Sequence, residues 1–327
     1  MSATTQPANG NPSFANRALT AVVTLGTGTF GQTGMNTVTL AGLRAQATIS
    51  AYGAPGMNAA EMRLYGVTAD VMNAVSTLGV PPTLYRHNNT LTILAGDDVN
   101  GMAPIFSGYL IYAYQDFAGM PESCLHMVAN GNQVIAAVAP VPPVSFPGGA
   151  DVATIMAGLA LQMGLAFENN GVQVQLASPY FSGTAYQQAQ KCAQAAHIQW
   201  CVDTNTSPNV LAIWPFTGTR GSAIPEISAA SGLIGYPTFM QFGIEFTTLF
   251  NPNIRVGGQI TMQSTVGGSV TYANPASPSP PTTLSGGPNG LWYVNGPVSH
   301  DLASQMPGGP WFTQVSCSRV FAASPGA

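Results

Sequence analysis

Residues 232–264 read GLIGYPTFMQFGIEFTTLFNPNIRVGGQITMQS. Two runs within it, Phe239–Thr247 and Gly258–Ser264, are rich in branched and aromatic side chains, which fit a pleated, half-buried surface. Between them Asn251–Arg255 has the composition of a turn. The stretch predicts two strands, and no helix is evident from Gly232 onward. Val266–Gly290 (VGGSVTYANPASPSPPTTLSGGPNG) follows. A segment so rich in Ser, Pro and Gly cannot build a core, and it reads as an extended loop inside a hairpin. Strands Leu291–Val294 and Trp311–Val320 close this module, which spans 232–327.

Upstream, a second module occupies 151–231. Asp151 is placed to cap a helix that buries Ile155, Leu159 and Met163 at helical spacing, with Gly164 as its stop. Val172–Leu176 reads as a strand. Thr184 caps a second helix, Ala185–Ala196, and Ile198–Asp203 and Val210–Trp214 are strands. The result is a small α+β module. Before it, Ala139–Gly149 (APVPPVSFPGG) marks a Pro/Gly linker over 139–150. The first module, 18–138, follows an N-terminal arm of residues 1–17. It shows strand signals at Leu19–Leu25, Thr37–Leu40 and Gln46–Ser50, with a turn at Gly42. A short helix is expected from Asn58 or Ala59, with Ala60, Leu64 and Tyr65 near one face, and a second over Ala69–Leu78 with Gly79 as its stop. Strands resume at Leu91–Ala95, Ile105–Tyr114 and Cys124–Met127, with a hairpin turn at Gly96–Asp98. Many short strands at close spacing suggest a small β-barrel. The fold class is therefore mainly β with an α+β insertion.

Composition narrows the function. Charged residues make up 6 % of the 327 residues, against about a quarter in an ordinary soluble domain. A soluble monomer normally relies on a charged surface. A chain with so few charges fits a subunit whose surface is covered by neighbours. Fourteen Phe, eleven Tyr and four Trp exclude a disordered chain. The eight Lys and Arg are scattered singly and the net charge is −4, so no cluster is present to neutralise nucleic-acid phosphates. No run reaches the roughly 18 apolar residues that span a bilayer, so no membrane insertion is expected. The N-terminus lacks the basic and apolar regions of a signal peptide. Cys124, Cys192, Cys201 and Cys317 match no zinc or CxxC spacing and read as reduced thiols.

Each candidate for catalysis has a plainer explanation. Gly26-Thr-Gly28-Thr-Phe-Gly31 matches GxGxxG, but a turn and a strand follow it where a nucleotide site needs a helix. Asp97 and Asp98 are adjacent, whereas a glycosidase pair flanks its substrate from two positions. Asp116 and Glu122 flank a turn. Cys192 and His197 lie five apart at a helix end, where a small buried Cys on an Ala-rich face is the simpler reading than a nucleophile pair. Ser299-His300-Asp301 is contiguous, while a triad assembles from separated segments. No metal site and no cofactor are expected.

The order of several motifs resembles the baseplate hub proteins of tailed phages, which are related to hubs of contractile tails and of type VI secretion spikes. Gly232-Leu-Ile-Gly235-Tyr-Pro237-Thr, then Asn251-Pro252-Asn-Ile-Arg255-Val-Gly257, looks like the family's GLIG-P … NP-I-PG passage, with Arg255-Val256 in place of the commoner proline. Trp292-Tyr-Val, then Val298-Ser-His300-Asp301-Leu and Pro307-Gly-Gly-Pro-Trp311-Phe-Thr, is similar to the family's closing H-L-S … PGG-W-T motif. Phe181-Ser-Gly-Thr184-Ala-Tyr-Gln187 and Trp200-Cys-Val-Asp203 look like its small central domain, and the likeness covers about residues 18 to 325. The resemblance implies two tube-like β-barrel domains separated by the α+β domain. It also implies a homotrimer forming a pseudo-sixfold ring between the hexameric tail tube and the trimeric central spike. Other baseplate proteins and the tape measure protein would be further partners, and the virion tail, assembled in the bacterial cytoplasm, its location. Gly232, Gly235, Pro237, Asn251, Pro252, Gly257, His300 and Trp311 would be structural motif positions. A tail-tube or distal-tail protein, and a tail-associated cell-wall hydrolase, are the other readings.

Overall fold

The computed structural model describes residues 15–31, 33–77, 89–131, 141–221, 223–240, 243–265, 269–272, 282–285 and 287–319. The chain is mainly β. The first module contains β1 (Arg17–Thr24), β2 (Thr37–Leu40), β3 (Ala45–Ala51), β4 (Ala59–Tyr65), α1 (Ala69–Val75), β5 (Thr90–Asp97), β6 (Gly101–Asp116) and β7 (Cys124–Gly131). The second contains β8 (Val144–Ser145), β9 (Ala150–Asp151), α2 (Val152–Gln162), β10 (Ala166–Asn169), β11 (Gln175–Leu176), β12 (Tyr180–Phe181), α3 (Ala185–Ala195), β13 (Ile198–Asp203) and β14 (Val210–Pro215). β15 (Glu226–Ser228) falls within the 151–231 span but pairs with β18 of the third module, which contains β16 (Leu233–Met240), β17 (Gly243–Leu249), β18 (Gln259–Gln263), β19 (Ser269–Tyr272), β20 (Thr282–Ser285), β21 (Gly290–Tyr293), β22 (Val298–Ser304) and β23 (Trp311–Ser318).

One sheet joins the outer modules. Its antiparallel path runs β16-β17-β23-β22-β3-β4-β7-β6-β5-β1-β2, and β21, β18 and β15 attach at the far end of β23 through Tyr293 and Ser318. The crossing between modules is the β22–β3 ladder, from Val298 opposite Ala51 to Ser304 opposite Ala45. Among the described residues β2 pairs only with β1 and β16 only with β17, so the ladder is open at both ends.

Three cores fill the structure, and the middle one packs on a separate β10-β14-β13 sheet. The first is built on Leu19, Ile49, Met62, Leu64, Ile93 and Phe106, and it takes in Leu302 and Trp311 from the third module. The second packs Ile155, Met156 and Leu159 of α2 and Ala189 and Cys192 of α3 on Trp200, Val202, Leu211 and Ile213. The opposite face of that β13–β14 pair, Cys201, Ala212 and Trp214, belongs to the third core with Ile227, Phe246, Ile260 and Trp292. Both strands are covered on both faces, which is why they read as nearly continuous apolar runs.

Both helix caps of the second module form as the residues dictate. Asp151 accepts from Thr154 N–H at 3.0 Å. Thr184 and Gln187 close a reciprocal capping box, and Gly164 follows α2 at φ +69°. The Pro/Gly segment before them is stitched to the module: Val144–Phe181 and Ala150–Leu176 are paired in two-residue ladders. Residues 139–140 lie outside the described ones, as do residues 1–14 of the arm, Leu78 and Gly79, and 266–268, 273–281 and 286 of the Ser/Pro/Gly segment. That segment lies between the paired strands β18 and β21 and carries a β19–β20 hairpin of its own.

Several expectations are corrected. Residues 59–65 form strand β4 and not a helix, because Ala60, Met62 and Leu64 are buried while Glu61 and Arg63 face out, and both edges are paired, with β3 and β7. Phe239–Thr247 is not one strand. The GLIGYPT stretch is itself β16, which runs to Met240, and a second strand starts at Gly243. Val172 precedes the strand expected there and closes an asparagine loop, exchanging hydrogen bonds with the Asn169 side chain. The turn at Gly96–Asp98 sits slightly later, over 98–100, with Asp97 accepting from Val99 and Asn100 N–H. β22 was not expected.

Candidate functional site at the module joint

The motif positions gather at two places. The first is the β17–β23–β22 layer where the sheet passes into the first module. Phe250 N–H donates to Trp311 O at 3.0 Å, and its ring meets His300 and Trp311 edge-on at 5.5 and 5.4 Å. Asn251 N–H donates to Thr313 Oγ1 at 3.1 Å, and the same hydroxyl lies 2.9 Å from His300 Nδ1. Asn251 Oδ1 accepts from Asn253 N–H, which shapes the turn through Pro252. Trp311 carries the Arg17 guanidinium 5.8 Å above its ring. Asn251, His300 and Trp311, far apart in sequence, are thus one packed cluster.

Gly232 adjoins it. Its carbonyl accepts from Leu249 N–H, and at φ +106° a Cβ would sit 3.0 Å from the Leu249 side chain. Gly235, at φ +69°, and Pro237 lie in the bulge of β16 between Ile234 and Thr238, where one strand runs longer than its partner.

His300 is fully buried, and its Nε2 has no hydrogen-bond partner among the described residues. Burial pushes its pKa down to about 4 from 6.5. Above pH 6.5 the ring is neutral whether the chain is folded or unfolded. Below it the unfolded chain takes up a proton that the fold refuses, so stability falls until the folded ring also protonates near pH 4. The full loss is roughly 3 kcal/mol. Urea denaturation between pH 7 and 4.5 is expected to show this slope, and His300→Gln is expected to flatten it.

The second gathering point is where the third module presses on the second. Gly257 N–H donates to Val294 O, and its carbonyl accepts from Arg220 N–H at 2.7 Å. The Arg220 side chain is 3 % exposed. Its Nε and Nη2 grip Glu168 at 2.8 and 2.7 Å, and Nη1 reaches Asp203 Oδ2 at 2.6 Å. Arg255, the residue that departs from the family motif, also approaches Asp203, at 3.5 Å. The Arg220 hydrogen bond holds the Glu168 carboxyl below its usual range, against the upward push of burial. Asn58 ties the first module in, donating to Val202 O at 2.9 Å and Thr204 Oγ1 at 3.0 Å. Asn209 donates to Ser107 O, and Tyr186 to Pro55 O. Sequence reading missed Arg220, Glu168, Asn58 and Asn209. For Arg220 and Glu168 the signal is that a buried charge requires a partner. Nothing in the sequence marks Asn58 and Asn209.

The residues weighed for catalysis do not assemble a site. Gly26–Gly31 is the β1–β2 connection. Asp97 caps its own turn, and Glu122 pairs with Arg44. Cys192 lies in the second core, where burial pushes its thiol up to about 12, while His197 stands exposed beyond α3. On β22, His300 points into the core and its neighbours Ser299 and Asp301 to the opposite face. Among the described residues no three His, Cys, Asp or Glu gather to hold a metal, and no helix is long and apolar enough to cross a membrane. What the joint offers is contact: one shared sheet links the outer modules, and buried hydrogen bonds from Asn58, Asn209 and Arg220 tie the middle one to both.

A family described as baseplate hub gp41 matches residues 19–273. No curated protein sequence matches the chain. Among solved structures, a tail protein from Neisseria meningitidis superimposes with a TM-score of 0.58 at 7 % identity, covering 93 % of this chain and 97 % of its own. The 43 kDa tail protein of prophage MuSo2 from Shewanella oneidensis gives 0.55 at 9 % identity, covering 94 % and 97 %. The c3393 protein of E. coli, a type VI secretion component, gives 0.51 at 6 % identity, covering 86 % and 74 %. At such identities the likeness is one of fold, and the family match carries the assignment: the chain belongs to the baseplate hub gp41 family of phage tail structural proteins.

Proposed function

We propose that the chain is a non-enzymatic subunit of the virion tail baseplate, and that three copies form a ring joining the hexameric tail tube to the trimeric central spike. The outer modules act as two tube-like barrel units per chain, so that three chains present six to the tube. The observation that carries this reading is the continuous β22–β3 ladder, which sets the two β modules side by side in one sheet. The open ends of that sheet support contact with neighbouring copies. β16 leaves Ile234, Tyr236, Phe239 and Met240 exposed on an edge strand without charge, and β2 has no charge either. Solitary proteins normally protect such edges. Gly232, Gly235, Pro237, Asn251, Pro252, Gly257, His300 and Trp311 serve as structural positions that brace the module joint. Other baseplate proteins and the tape measure protein would complete the surroundings.

Native mass spectrometry tests the reading. Three chains of 33.7 kDa give a particle of about 101 kDa, and imaging with the spike protein should place it at one end of the ring. A hexamer would favour a tail-tube or distal-tail role. Lysis of peptidoglycan in a zymogram would instead favour a cell-wall hydrolase.

A further inference from the structure

The long strand β6 is where the shared sheet turns a corner. Its first half pairs with β5, from Gly101 opposite Asp97 to Tyr109 opposite Thr90. Its second half pairs with β7, from Gly108 opposite Gly131 to Asp116 opposite Cys124. Past the corner, β5, β1 and β2 fold back across the first core, so that β1 packs on β22 and Arg17 lies over Trp311. The end of the ladder at β2 is therefore stacked over the middle of the layer β16-β17-β23-β22-β3-β4-β7-β6. The lateral edges of that layer are β16 and the second half of β6. Polar side chains such as Gln314, Ser299, Asp301, Ser50 and Thr48 turn outward across its middle. Large apolar ones are exposed at both edges: Tyr236 (68 %) and Met240 on β16, and Tyr112 and Phe117 (56 %) on β6 and the turn after it. An edge strand with exposed apolar side chains and no charge is a ready template for another strand.

Both edges also offer main-chain groups. Leu249 N–H donates to Gly232 O, which fixes the alternation along β17 and turns the main-chain groups of Phe239 away from it. On the free side of β6, Thr77 N–H donates to Ala113 O at 2.9 Å and Ala113 N–H to Thr77 Oγ1 at 3.0 Å. The same alternation points the main-chain groups of Gln115 to that side, where no further strand pairs among the described residues. We propose that β16 of one copy pairs with β6 of the next, from Gln115 onward. Every neighbouring pair in the layer is antiparallel, and the strands from β16 to β6 are even in number. β16 and β6 thus run in opposite directions, and a rotation about an axis along the strands brings them together antiparallel. One edge meets a different one, so the contact is head-to-tail and its repetition closes a ring. β16 brings no charge that would need desolvating. The inference rests on the ring proposed above and names the surface that makes it.

Cysteine pairs in the full chain test it, because the four native cysteines are buried. Thr238→Cys on β16 is combined with Ala118→Cys just beyond β6, or with Thr39→Cys on β2 as a control, and all three positions are exposed. Within one chain the two edges lie roughly 30 Å apart at about 4.8 Å per strand, so a short bismaleimide linker can join the first pair only between chains. That pair is expected to give covalent oligomers on a denaturing gel at least about tenfold faster than the control, because pairing holds the two thiols at high effective concentration. Native mass spectrometry of the wild type separates two ways of failing. Assembled rings that give no such oligomers, or give them equally with the control, overturn this pairing and leave the ring standing. A wild type that stays monomeric overturns both. As a second measurement, the double variant Tyr236→Lys, Met240→Lys places on β16 the charges that protect an open edge. Both side chains project into solvent, and assembly is expected to weaken at least about tenfold while Thr39→Lys leaves it unchanged. Undiminished assembly of the double variant, or equal weakening by Thr39→Lys, overturns the proposal.

Discussion

Arg220→Ala is expected to destabilise the protein by about 3–5 kcal/mol, the range for removing one partner of a buried ion cluster. Arg220 is nearly inaccessible and satisfies two carboxylates at once, Glu168 in a two-point grip and Asp203 through Nη1. Alanine would leave Asp203, itself 6 % exposed, with the more distant Arg255 as its one cationic partner among the described residues, beside the hydrogen bond it accepts from Asn205 N–H. The grip also holds a seam together, since the same residue's backbone N–H meets Gly257 of the third module. Urea denaturation at one fixed chain concentration reads the loss. A pH series adds a signature that mere truncation would not. In the wild type the Glu168 pKa is depressed, so its contribution is present above the usual value of 4.5 and is lost as pH falls through the lower folded value. Without Arg220 the largest cause of that depression is gone, with Asn170 and Arg255 left to lower it, and the acid side of the profile below pH 4.5 should flatten. The His300 slope, which lies between pH 6.5 and 4, should persist.

Why the sequence spoke clearly in some places and not in others is itself physical. The helix caps at Asp151 and Thr184 are local, so neighbours in sequence decide them and both were legible. β4 was not. Ala60 and Leu64 are four apart, a spacing that lies on one face of a helix and on one face of a strand alike. Only Met62 distinguishes the two, and Ala, Glu, Met, Arg and Leu are all strong helix formers. Pairing with β3 and β7 decided the matter, and that information lies elsewhere in the chain. β22 was hidden because its inward set is Val298, His300 and Leu302, with a polar residue at the centre of the pattern. Arg220 sits in a Gly/Thr-rich stretch and finds its partners 17 and 52 residues upstream, so nothing local marks it. The convergence of Asn251, His300 and Trp311 on Phe250 and Thr313 depends on the β17–β23–β22 register, which nothing local encodes.

Two of those motif glycines should behave very differently when replaced by alanine, and the contrast separates conformational from packing demands. Both hold backbone angles that L residues rarely adopt, Gly235 at φ +69° and Gly257 at φ +83°. Around Gly235 nothing lies within 4 Å of the added methyl. Gly235→Ala therefore meets only the left-handed cost, about 1–2 kcal/mol. At Gly257 the methyl would lie 2.7 Å from two ring carbons of Trp214. That ring cannot easily retreat, because Trp214 is 2 % exposed, packed into the third core and held through Nε1–H by Tyr293. Overpacking adds about 1–3 kcal/mol to the conformational cost, so Gly257→Ala should lose roughly 2–5 kcal/mol. Any shift of Gly257 also pulls its carbonyl from Arg220 N–H, so the two sites are coupled. In a double-mutant cycle, Gly257→Ala and Arg220→Ala should cost less together than the sum of the two. Strict additivity would mean that the Trp214 contact and the Arg220 cluster brace the joint independently. A loss at Gly257 no greater than at Gly235 would show that the third module does not bear on Trp214 at all.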